Sequence, residues 1–72
     1  MAKNTTEFGK AIKKKLVDEE KTQTWLIEQV KNKTNLFFDG WYLHKILVGE
    51  IATPSIVQAI REILDLPEDL EV

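Results

Sequence analysis

With 72 residues, a formal net charge of −2 and no cysteine, the chain has room for one domain around one modest core, since a chain this short buries only ~60% of its unfolded surface. The lack of cysteine excludes a disulfide framework and any thiolate metal site. No apolar run approaches the ~20 residues of a bilayer-spanning helix, and the lysine-bearing start from Met1 to Lys15 lacks the apolar stretch of a secretory signal, so a cytoplasmic protein with no membrane partner is expected.

A first helix is predicted over about 5–19, because Asn4 and Glu7 have capping-box spacing and Phe8, Ala11, Ile12 and Leu16 follow at helical intervals. Thr22 is a suitable N-cap for a second helix over about 22–33, with Leu26 and Val30 as an apolar pair flanked by Trp25 and Ile27. The run Asn32-Lys33-Thr34-Asn35 is polar and forms helix poorly, so it reads as a helix end or a connection. Leu36, Phe37 and Phe38 then predict a connection pinned against the core. Asp39 can cap a third helix over about 40–48, whose Leu43, Ile46 and Leu47 form an apolar stripe, and Gly49 suits the left-handed residue that closes it. Thr53-Pro54 opens a fourth helix over about 54–66, because proline at the first helical position lacks only an N–H that has no partner there. That helix carries Ile56, Ala59, Ile60, Ile63 and Leu64 until Leu66-Pro67, and residues 67–72 read as a frayed acidic tail. No strand pattern appears. The expected class is all-α, one small four-helix domain, with Phe8, Ile12, Leu16, Leu26, Val30, Leu43, Ile46, Ile56, Ile60 and Ile63 in its core.

Reactive chemistry is sparse. The chain has one histidine, His44, no Gly-rich phosphate loop and no metal-ligand pair at helical spacing, so neither an enzyme nor a cofactor, metal or small-molecule substrate is expected. Asp18, Glu19 and Glu20 point in different directions and read as a solvated helix end. Charge is segregated along the chain: Lys3, Lys10, Lys13, Lys14, Lys15 and Lys21 crowd the first third, while Glu62, Asp65, Glu68, Asp69 and Glu71 follow Arg61 without a further cation. A basic end of this kind can face phosphate, or be no more than a solvated helix surface.

Thr22-Gln23 opening a helix before Trp25-Leu26, then the stretch from Tyr42 to Glu50 and Thr53-Pro54-Ser55, resemble the repressor and Cro-like (lambda-repressor-like) helix-turn-helix family of phages and bacteria. With its flanking helices the resemblance covers nearly the whole chain. It implies a sequence-specific regulator of transcription, of phage or mobile-element type. Such a regulator binds double-stranded DNA with its recognition helix in the major groove, as a homodimer on a palindromic site with half-sites ~34 Å apart. Carried over by position, the resemblance sets Gly40, Trp41, Tyr42 and Lys45 at the groove with His44 beside them, and Thr22 and Gln23 near phosphate at the start of the preceding helix.

The residue types give each position two readings. Lys45 should project opposite Leu43, Ile46 and Leu47, to base or phosphate or simply to solvent. Trp41 either presses on thymine methyls or the sugar-phosphate wall, or folds back onto Phe37 or Phe38. The Tyr42 hydroxyl can donate to phosphate or merely cover the edge of the motif, and Thr22 and Gln23 either bind phosphate or only cap their helix. Lys10, Lys13 and Lys14 extend the basic footprint if they share the motif's face. Two departures from the family stand out: the segment from Lys31 to Asp39 is longer than its tight turn, and Glu50 sits where a lysine or arginine is common. Neither Gly40 nor Trp41 offers the paired hydrogen bonds that select a base pair, which leaves more of the readout to DNA shape. Two other functions fit the same residues: an excision or architectural DNA-binding factor, and a protein-interaction module using Trp41, Tyr42 and Phe37 as anchors.

Overall fold

The structure, a computed structural model, describes residues 5–70, which form four helices and no strand. The first helix, α1 (Glu7–Asp18), starts two residues later than the sequence predicts. Its cap is Thr6, held in extended conformation with its hydroxyl oxygen accepting from the Gly9 N–H at 3.0 Å; Asn4, the expected cap, lies outside the described residues. The choice of Thr6 has a tertiary cause. Its N–H and its hydroxyl both donate to the Leu47 carbonyl, at 3.0 and 3.3 Å, so α1 begins where the chain crosses the end of the third helix.

The second helix, α2 (Gln23–Thr34), is capped as expected by Thr22, which accepts from the Trp25 N–H at 3.0 Å. It runs through the polar Asn32–Thr34 stretch because Thr34 supplies its own termination. The Thr34 hydroxyl donates to the Val30 carbonyl at 2.8 Å and accepts from the Leu36 N–H at 3.1 Å, while Asn35 turns left-handed at φ 57°. The connection to the third helix is therefore residues 35–39, shorter than the polar composition indicated. Only one of the three residues expected to pin the connection does so: Phe38 is buried, whereas Leu36 is 46% and Phe37 73% exposed.

In the third helix, α3 (Gly40–Leu47), Asp39 accepts from the Tyr42 N–H at 2.9 Å. Phe38 and Leu43, both in the core cluster, flank that cap at hydrophobic-staple spacing. Gly49, at φ 78°, closes the helix and returns the Glu50 N–H to the Lys45 carbonyl at 2.9 Å.

The fourth helix, α4 (Pro54–Leu64), follows Thr53, but the Thr53 hydroxyl makes no cap bond. It pairs instead with the Tyr42 hydroxyl at 2.5 Å, linking the start of α4 to α3. Tyr42→Phe is accordingly expected to lower stability by about 1 kcal/mol, the usual worth of such a bond, as read by the urea midpoint. If the hydroxyl instead serves mainly to bind phosphate, the midpoint will stay put.

The α4 helix ends two residues before the expected stop, because Asp65 turns left-handed and Leu66, partly buried, comes back against the core. The following residues are tied down and do not fray. The buried guanidinium of Arg61 donates to the carbonyls of Pro67 and Leu70 at 2.6 and 2.9 Å and lies 4.9 Å from the Phe8 ring centre. Residues 71 and 72 of the expected tail are outside the described range.

Helix α2 packs on α4 and α3, and α1 packs on α3 and α4, enclosing a core of Phe8, Ile12, Leu16, Leu26, Val30, Phe38, Leu43, Ile46, Leu47, Ile56, Val57, Ile60 and Leu64. Ile63, expected inside, is only partly buried at its edge. Lys33 of α2 reaches Glu62 of α4 at 3.0 Å; the hydrogen bond from Lys33, then that from Gln58, hold the Glu62 carboxyl below its usual range.

Candidate nucleic-acid interface

The short α3 helix divides sharply. Leu43, Ile46 and Leu47 are buried by the other helices, whereas Gly40, Trp41 and His44 face solvent. A Cβ added to Gly40 would meet nothing within 4 Å, so the start of this helix is open. Trp41 is 61% exposed, so it is not folded into the core.

Lys45 is less free than the sequence indicates. Its ammonium lies 2.6 Å from a Glu50 carboxylate oxygen and 5.3 Å from the Trp41 ring centre, so Trp41, Lys45 and Glu50 form one cluster. The pairing follows from Gly49, whose left-handed turn folds Glu50 back over the last turn of α3. Tyr42 is half-buried and belongs to a second group: its ring stands 5.0 Å from that of Phe38 and its hydroxyl is engaged by Thr53, so it does not stand free for phosphate. The His44 side chain is exposed and makes no hydrogen bond or ion pair with the described residues.

At the start of α2, Thr22 is exposed but already committed to its capping bond, and Gln23 is exposed with its side chain unbonded among the described residues. The Lys21 ammonium lies 5.2 Å from the Trp25 ring centre beside this terminus. Lys10, Lys13 and Lys14 on α1 are exposed and make no ion pair among the described residues.

Sequence reasoning missed the exposure of Leu36, and foresaw that of Phe37 only in the protein-interaction reading. Together with Trp41 these make three of the four large hydrophobic side chains exposed among the described residues, Val17 being the other. A partial signal existed: adjacent residues in a short connection tend to point to different sides, which argues against burying both Phe37 and Phe38. Arg61 was missed as well, since nothing local marks a single arginine on an amphipathic helix as buried.

Among the described residues no cluster of histidine, aspartate or glutamate side chains could hold a metal ion, and no helix is long and apolar enough to cross a membrane. Compared with protein-family models, curated proteins and solved structures, the chain matches none.

Proposed function

We propose that this chain is a sequence-specific, duplex-DNA-binding regulator of transcription in which α2 and α3 form a helix-turn-helix of the repressor and Cro-like kind, used as a homodimer on a palindromic site. The observation that carries the reading is the division of α3: an eight-residue helix anchored by Leu43, Ile46 and Leu47 with Gly40, Trp41 and His44 left in solvent. With side chains an α-helix is about 10–12 Å across, which the major groove admits. The exposed first turn of α2, with Gln23 and unpaired backbone N–H groups, is suited to a phosphate of the backbone that this helix would cross.

The test is fluorescence anisotropy against labelled duplexes from the gene's own upstream region and a scrambled control, across a salt series. Preference for the upstream duplex, with log affinity falling linearly in log salt over several units of slope, is expected. Lys45→Ala is expected to weaken binding by about 1 kcal/mol, at the low end for a lost contact because Glu50 already competes for the ammonium. Equal, salt-independent binding to both duplexes would refute the reading.

One observation favours a second reading, a protein-interaction module: Leu36, Phe37 and Trp41 are exposed together in a short stretch, and large aromatics of this kind anchor protein interfaces. In that case Trp41→Ala abolishes partner capture and Lys45→Ala hardly changes it.

A further inference from the structure

The polar groups near the outer face of α3 are mostly spent inside the protein. The Asp39 carboxylate takes the Tyr42 N–H, the Tyr42 hydroxyl is paired with Thr53, and the Lys45 ammonium is paired with Glu50. Gly40 has no side chain, which leaves the His44 imidazole and the single indole N–H of Trp41 as the uncommitted polar groups on the side chains of this helix among the described residues. Against that stand three exposed apolar side chains, Leu36 at 46%, Phe37 at 73% and Trp41 at 61%. Hydrogen-bonded base readout needs free donors and acceptors, commonly two per base, and this surface has few to give. The major groove carries one base-specific mark that is read without hydrogen bonds, the C5-methyl group of thymine.

We infer that Trp41 and Phe37 read thymine methyl groups, so that the site bound by this protein is specified chiefly by apolar contact. This rests on the DNA-binding reading and names the feature of the duplex that α3 recognises. Three properties of the surface suit that occupant. Trp41 stands on the first turn of α3, the part of a recognition helix that meets base edges. The Lys45 ammonium lies 5.3 Å from the centre of the Trp41 ring and restrains it, its charge being balanced by Glu50. Phe37 lies just before the capped start of the same helix, and a Cβ added to Gly40 would meet no atom within 4 Å beyond its neighbours in the helix, so a base edge can approach this helix start.

The experiment exchanges thymine for uracil, which removes the methyl and leaves every hydrogen-bonding group in place. Duplexes are first selected from a randomised library with the intact protein, and the best is resynthesised with uracil at one thymine position at a time. Affinity is expected to fall about fourfold at each contacted thymine, the worth of burying one methyl-sized group. Trp41→Ala and, separately, Phe37→Ala are expected to bind thymine and uracil duplexes alike at the positions each one contacts; both side chains are largely exposed, so neither change threatens the fold. A selected site that tolerates uracil at every position, or a uracil effect that persists unchanged in both variants, overturns the inference while leaving the DNA-binding reading intact. Failure to enrich any duplex overturns both.

Discussion

Replacing Gly9 by alanine is expected to cost about 3 kcal/mol of stability, a large part of the roughly 5–10 kcal/mol available to a domain of this size. Gly9 is buried in the first turn of α1, and a Cβ there would collide with the carbonyl oxygen of Leu47, with that carbonyl's carbon 3.0 Å away and the Thr5 Cγ2 methyl 2.6 Å away. The methyl can rotate aside. The carbonyl cannot, because it belongs to the backbone and is held by both the N–H and the hydroxyl of Thr6. Relief therefore requires α1 and α3 to separate, which lengthens those hydrogen bonds and opens the core at Phe8. Alanine brings at most ~1 kcal/mol of helix propensity in compensation, and less in a first turn whose N–H is already capped by Thr6. Steric exclusion wins. Urea unfolding should show a lowered midpoint for Gly9→Ala, whereas Gly40→Ala, where the surroundings are open, should unfold within about 0.5 kcal/mol of the parent protein. Equal midpoints for the two variants would mean that the approach of α1 to α3 is not as close as described.

That close approach also shows where local sequence signals give out. Thr22 before α2, Asp39 before α3, Gly49 after it and Pro54 at the head of α4 can all be read directly, because each acts within its own backbone or within three residues of it. The cap of α1 differs in kind. Asn4 and Thr6 are both chemically suitable, and a carbonyl 41 residues distant decides between them. The same distinction runs through the candidate interface. Helical spacing places Lys45 opposite the buried stripe, yet its actual partner, Glu50, lies five residues on and is brought back by a left-handed glycine. The Tyr42 hydroxyl is claimed by Thr53, eleven residues away. Hydrophobic periodicity therefore locates the faces of α3, while the availability of the polar groups on and around it depends on turns and long-range contacts that periodicity does not encode.

Glu50→Gln is expected to tighten DNA binding by about an order of magnitude and to steepen the salt dependence by about 0.9 in the slope of log affinity against log salt, the increment of one further phosphate contact. The reasoning starts from the end of α3. The turn at Gly49 brings a carboxylate near a helix C-terminus, where the dipole disfavours negative charge, and the Lys45 ammonium 2.6 Å away offsets it. In the free protein this pair is a modest, partly exposed contact, worth at most about 1 kcal/mol. Beside a duplex it becomes a competition, since Lys45 must give up Glu50 to reach phosphate and the Glu50 carboxylate stays close to the polyanion. Glutamine removes the charge while retaining the shape and a hydrogen-bonding side chain, so the ammonium is released at little cost to the fold. Glu50→Lys goes further, adding a second cation that the dipole of α3 favours, and should double the change in slope. Affinities of the parent and both variants, measured on one duplex over a common salt series, give three slopes. A progression from parent to glutamine to lysine identifies the Lys45–Glu50 pair as a brake on DNA binding. Three equal slopes would set this end of α3 away from the phosphates and leave its beginning, with Trp41, as the part that meets the duplex.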